Sequence, residues 1–116
     1  MGALTIDWGR DKTFTIPVLL NGAAVSLAGK TLRFLAKTAT SVADASATIT
    51  KNTASGIVHT DEAGGIATLT ISATDTAALT PTESTTLLWE CVLYPDNKLI
   101  DEGTLTVGPA VIRAAS

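Results

Sequence analysis

The segment Thr85-Thr86-Leu87-Leu88-Trp89-Glu90-Cys91-Val92-Leu93-Tyr94, followed by Pro95-Asp96-Asn97 and by residues Lys98 to Val107, decides the fold class. Side chains on a strand point alternately to opposite faces, so Leu87, Trp89, Cys91 and Leu93 share one face. Leu88, Val92 and Tyr94 are apolar too, which predicts that this longest strand is covered on much of both faces. Pro95-Asp96-Asn97 has the residues of a hairpin turn. In the returning strand Leu105 and Val107 face inward, Thr104 and Thr106 outward, and Gly103 is a candidate bulge.

The same period of two runs outward from this hairpin. Leu4, Ile6 and Trp8 alternate with Thr5 and Asp7, and Gly9-Arg10-Asp11 breaks the run. Phe14, Ile16 and Val18 alternate with Thr13 and Thr15, and Pro17 removes a ladder donor, which marks an edge strand or a bulge. Asn21-Gly22 is a tight-turn signal and Ala28-Gly29 a second turn. Leu32, Phe34 and Ala36 alternate with Thr31, Arg33 and Lys37, with Leu35 an apolar exception on the outer face. Thr38 to Ala45 is a small, polar loop. Ala47 and Ile49 define a short strand, Gly56 to Thr60 another, and Asp61-Glu62-Ala63-Gly64-Gly65 a loop tip. Ala67, Leu69 and Ile71 alternate with Thr68 and Thr70. Ser72 with Asp75 three residues on makes a weak capping box, so Thr74 to Leu79 is read as one or two helical turns ended by Pro81.

Seven to nine short strands at this spacing predict an all-β, Ig-like antiparallel β-sandwich with one short helical turn. The cysteine pair of true immunoglobulin domains is missing, so the likeness is one of architecture. Neither repeats nor a linker divide the 116 residues, and a single domain over 1–116 is expected, with 1–8 and 109–116 as candidate extended arms. A chain of this length hides roughly two thirds of its unfolded surface, enough for a core without disulfides or metals.

Composition narrows the function classes. Hydrophobic residues are 46% and charged residues 16%, which is not the profile of a disordered polymer. Eight scattered Lys and Arg against 11 Asp and Glu, net charge −3, argue against a nucleic-acid partner. No apolar run reaches ~18 residues, so no membrane partner is expected. Met1 to Trp8 lacks the basic start and apolar stretch of a secretory signal, and Ile6 stands where a myristoylation motif needs Ser or Thr. A reducing cytoplasm, or release by a route other than secretion, fits the single cysteine.

Candidate chemistry is sparse. His59 is the one histidine, and His59 with Asp61 and Glu62 supplies too few ligands for a usual zinc site. It reads as a strand-end residue beside a polar loop. Cys91 lies mid-strand with no basic neighbour in sequence, which suits core packing, whereas a nucleophile needs an electropositive, partly open setting. Asp61-Glu62 and Asp101-Glu102 are adjacent pairs whose side chains point apart, unlike facing acid–base carboxylates. No D-x-D-x-D-G loop offers calcium a site. Gly64-Gly65 and Asn21-Gly22 are not followed by a helix that could cradle phosphate. Trp8 and Trp89 would form a carbohydrate platform only if exposed; core or interface packing suits them better. No catalytic, cofactor-binding or metal residues are assigned, and no enzymatic activity is expected.

Order along the chain adds a resemblance. Gly9-x-Asp11-Lys12-Thr13-Phe14-Thr15-Ile16 is followed by Leu20-Asn21-Gly22-Ala23-Ala24-Val25-Ser26-Leu27-Ala28-Gly29-Lys30-Thr31-Leu32-Arg33-Phe34. Then come Gly56-Ile57-Val58, the run Gly65-Ile66-Ala67-Thr68-Leu69-Thr70-Ile71-Ser72-Ala73-Thr74-Asp75-Thr76, and Glu102-Gly103-Thr104-Leu105-Thr106-Val107. Over roughly residues 9 to 108 this resembles the Ig-like N-terminal domain of upper baseplate proteins of tailed phages and other small virion proteins. The resemblance implies a sandwich used for assembly and carries no active site. Baseplate proteins of this kind continue into a helical or receptor-binding region, so a free-standing connector or decoration is expected here.

The implied function is that of a non-enzymatic structural protein of a bacteriophage virion, in the tail, baseplate or neck, assembled in the host bacterial cytoplasm. The implied partners are other virion structural proteins and further copies in a homo-oligomer. The alternatives are a capsid decoration protein, or a host-surface or carbohydrate-binding module using Trp8 or Trp89. A mean hydropathy of +0.34 is high for a monomer of this size and points to a buried interface. The Pro17 strand, Leu4 to Trp8 and Ala110 to Ala114 are candidate edges and arms for pairing with neighbours.

Overall fold

A computed structural model describes residues 3–20, 22–77, 79 and 83–109. The chain is an all-β sandwich. Ten strands run in order: β1 (Leu4–Asp7), β2 (Lys12–Pro17), β3 (Leu19–Leu20), β4 (Ala23–Ala24), β5 (Thr31–Lys37), β6 (Ile49–Asn52), β7 (Ile57–Asp61), β8 (Ile66–Ile71), β9 (Thr85–Tyr94) and β10 (Lys98–Gly108). One sheet has five strands in the order β1-β10-β9-β5-β6 and faces a three-stranded sheet, β2-β8-β7; β3 and β4 form a small hairpin. Placing β10, β9 and β5 in one sheet and β2, β8 and β7 in the other is the Greek-key arrangement of immunoglobulin-type sandwiches.

The core follows the period of two. Leu32, Phe34 and Ala36 of β5 point inward, as do Leu87, Trp89, Cys91 and Leu93 of β9 and Ala67, Leu69 and Ile71 of β8. Trp89 is 1% exposed and stacks on Phe34 with ring centroids 5.4 Å apart. Its indole Nε1–H donates to the Thr104 carbonyl at 3.1 Å. Pro17 sits on β2, an edge of its sheet, where the missing N–H costs no ladder bond.

Several expectations need correction. β10, with eleven residues, is longer than β9, with ten. The irregularity in β10 lies at Ile100, between the pairs Leu99↔Val92 and Asp101↔Cys91, and not at Gly103. The extra residue turns Ile100 toward the core. Gly103 instead pairs regularly with Trp89. β1 pairs in parallel with β10, so the sandwich is not wholly antiparallel. Leu4 and Ile6 are buried in the core, which makes residues 4–7 an integral edge strand rather than an arm. The helical turn α1 spans Ala73–Thr76, starting one residue earlier than expected, with Ser72 as its N-cap and Ser72 and Asp75 in a capping box. The Pro81 stop, the Asn21 half of the Asn21-Gly22 turn and the arm beyond Pro109 lie outside the described residues.

Two contacts tie the turn after β1 to α1 and to the segment just past it. The buried Thr76 hydroxyl accepts the Gly9 N–H at 2.8 Å and donates to the Ala73 carbonyl at 3.2 Å. Trp8 Nε1–H donates to the Leu79 carbonyl at 2.9 Å. A close approach demands Gly65, which has φ +73°; a Cβ there would come within 2.5 Å of the Val25 carbonyl oxygen.

Candidate functional site

Cross-strand register sets the outer face of the five-stranded sheet. Residues directly opposite on paired strands share a face. The pairs Leu35↔Glu90 and Glu90↔Glu102 therefore form a central row Leu35–Glu90–Glu102. Lys37–Leu88–Thr104 makes the row on one side, and Arg33–Val92–Leu99 the row on the other. The face is open: Leu88 is 40% exposed, and Glu90 and Glu102 are exposed. The expectation that β9 is covered on both faces fails, because the three-stranded sheet covers only the inner one.

The loop after β5 makes the face concave. A 3-10 turn, Asp44–Ser46, brings the Asp44 carboxylate to Lys37 Nζ at 2.6 Å and to Arg33 at 3.6 Å. The Lys37 hydrogen bond and charge, with a lesser contribution from the Arg33 charge, lower the Asp44 pKa against an opposing desolvation. Ala39, Thr40 and Asp44 line the resulting groove from the loop, and Leu35, Leu88, Val92 and Glu102 line it from the sheet. The groove encloses about 420 Å³.

Charge in this groove is divided. The two β5 cations turn toward Asp44, leaving Glu90 and Glu102 side by side without a cationic partner among the described residues. Like charges directly opposite on neighbouring strands repel. Sequence reading missed this pair: Glu90 and Glu102 are twelve residues apart, and only the hairpin register, including the extra residue at Ile100, sets them opposite.

The residues singled out for chemistry do not converge. Cys91 lies on the inner face of the five-stranded sheet, and His59 on β7 of the other sheet. His59 Nδ1 is 3.7 Å from Glu62 Oε2, while Nε2 is buried and has no hydrogen-bond partner among the described residues. Asp61 accepts the Gly64 N–H at 3.0 Å, a turn contact. Asp101 accepts the N–H of Glu102 at 2.9 Å. Trp89 is buried and cannot serve as a sugar platform; Trp8 is half-buried with its N–H bonded. Among the described residues no group of three or more His, Cys, Asp or Glu is placed to hold a metal, and no helix is long and apolar enough to cross a membrane.

Burial, with a smaller push from Asp101, raises the Cys91 pKa to about 12. The reactive thiolate is therefore scarce at neutral pH. Iodoacetamide at pH 8 is expected to label Cys91 only as fast as the protein unfolds, and rapidly in denaturant. Fast labelling of the native protein would contradict this placement.

No protein-family model matches the chain, and no curated protein matches it.

Proposed function

We propose that this chain is a non-catalytic structural protein of a tailed-phage particle, a multi-copy component of the tail, baseplate or neck. The observation that carries the assembly reading is the open, grooved outer face of the five-stranded sheet, where Leu35, Leu88 and Val92 meet solvent among charged residues. Partly apolar faces of this kind suit contacts between proteins. The choice of a phage particle rests on the order of strand and turn motifs over residues 9 to 108. Those motifs are the strands and turns of the sandwich: Lys12–Pro17, the turn at Gly22, Thr31–Lys37, Ile66–Ile71 and the second half of β10.

On this reading the partners are other virion structural proteins and further copies of the chain, and assembly takes place in the bacterial host's cytoplasm. Capsid decoration uses the same kind of sandwich and differs in copy number. Quantitative mass spectrometry of purified particles from the source separates the two. A few to some dozens of copies per particle is the expected result. Hundreds would move the protein to the capsid surface, and its absence from particles would overturn both virion assignments.

A further inference from the structure

We infer that the groove on the outer face of the five-stranded sheet docks an extended protein segment of the pattern apolar–x–basic–x–apolar, with its Lys or Arg set over Glu90 and Glu102. Along β9 the outward residues run Leu88, Glu90, Val92, that is apolar, acidic, apolar at a spacing of two. An extended segment lying along β9 presents its own alternate residues to that surface at the same spacing. Only a cation in the middle, flanked two residues away on each side by apolar side chains, matches all three positions.

Charge decides the sign. The groove carries Arg33 and Lys37 against Asp44, Glu90 and Glu102, and both cations already face Asp44. Two cations share the one Asp44 carboxylate, so the groove keeps a net charge of −1, and its negative end is the Glu90–Glu102 pair, whose mutual repulsion a cation between them relieves. The loop residues Ala39, Thr40 and Asp44 line the groove together with the sheet, which favours a narrow extended occupant over a flat surface. Local sequence choice conflicts with free-state stability at this pair, and such conflicts are characteristic of contact sites.

Docking here depends on the sheet surface and not on the kind of particle, so its failure leaves the copy-number test standing. The experiment is a titration of the isotope-labelled full chain with acetyl-Val-Thr-Arg-Thr-Val-amide, followed by amide chemical shifts. Saturable shifts are expected at residues 33–37, 88–92 and 102–104, with affinity in the millimolar range. The peptide with Glu in place of Arg is expected to give none. A Glu90→Gln, Glu102→Gln double variant is expected to bind about tenfold more weakly. It should also melt no lower than the parent, which separates lost binding from lost folding. The inference is overturned by an absence of shifts, by shifts scattered over other faces, or by equal shifts with the Glu peptide or the variant. It is also overturned if the same amides shift on simple dilution, because the face is then covered by a second copy.

Discussion

Trp89→Ala is expected to remove about 3–5 kcal/mol of folding stability, the range for deleting a large buried aromatic. Trp89 is the largest fully buried side chain among the described residues. It stacks on Phe34 of β5 and donates its indole N–H to Thr104 of β10, so one side chain ties three adjacent strands together. Truncation opens a cavity between the sheets and leaves the Thr104 carbonyl without that donor. Domains of this size are stable by only about 5–15 kcal/mol, so the variant sits close to unfolding at 37 °C. Trp89→Phe keeps most of the volume and loses the hydrogen bond, and should cost about 1–2 kcal/mol. Urea melts monitored by circular dichroism give both numbers. A loss below about 1 kcal/mol for the alanine variant is incompatible with a core residue of this kind.

The second large effect comes from an ion pair that ties an edge strand of the five-stranded sheet to α1. Lys51 of β6 reaches the Asp75 carboxylate in α1 at 2.7 Å, with side chains 12% and 19% exposed. Asp75 also accepts the Ser72 backbone N–H at 2.7 Å and the Ser72 hydroxyl at 3.0 Å. The aliphatic stem of Lys51 runs over Gly56, where any side chain would collide with it. Breaking a buried pair strands the remaining charge, at a cost of about 3–5 kcal/mol when burial is complete. With some solvent access here, Lys51→Met should cost about 2 kcal/mol. In a double-mutant cycle with Asp75→Asn, the two losses should be clearly less than additive. Additive losses would mean that the pair is not coupled.

The same carboxylate sets an acid dependence. Burial pushes the Asp75 pKa up, but hydrogen bonds from Lys51 and Ser72, together with the Lys51 charge, outweigh it and hold the value below the ordinary 3.8. The folded pKa is thus lower than the unfolded one. Between the two values the unfolded chain binds more protons, so stability rises with pH there. The contribution is complete above about pH 4 to 5 and is lost as pH falls through the folded value. Wild-type protein should therefore lose more stability than Asp75→Asn over that acid range. Parallel acid titrations of the two would settle the point against the ion pair if their slopes coincide.

Much of the fold was legible because strand geometry is local. A period of two assigns Leu32, Phe34 and Ala36, and Leu87, Trp89, Cys91 and Leu93, to the core without knowledge of any partner strand. Pro17 at a sheet edge and Ser72 with Asp75 at the start of α1 follow from backbone chemistry within a few residues. The reading of β9 as covered on both faces failed for an equally physical reason. Hydrophobicity records which residues tolerate burial, whereas coverage depends on what packs opposite, and Leu88 is left 40% exposed.

The amino-acid order by itself determined which side chains of a strand share a face and where the chain turns, since both are set by neighbours one to four residues away. Only the tertiary structure decided the pairings. It laid β1 parallel to β10, carried Lys51 across to Asp75, and set Glu90 opposite Glu102. Each of these depends on register between distant segments, which one extra residue such as Ile100 shifts by a full position and which no local pattern encodes.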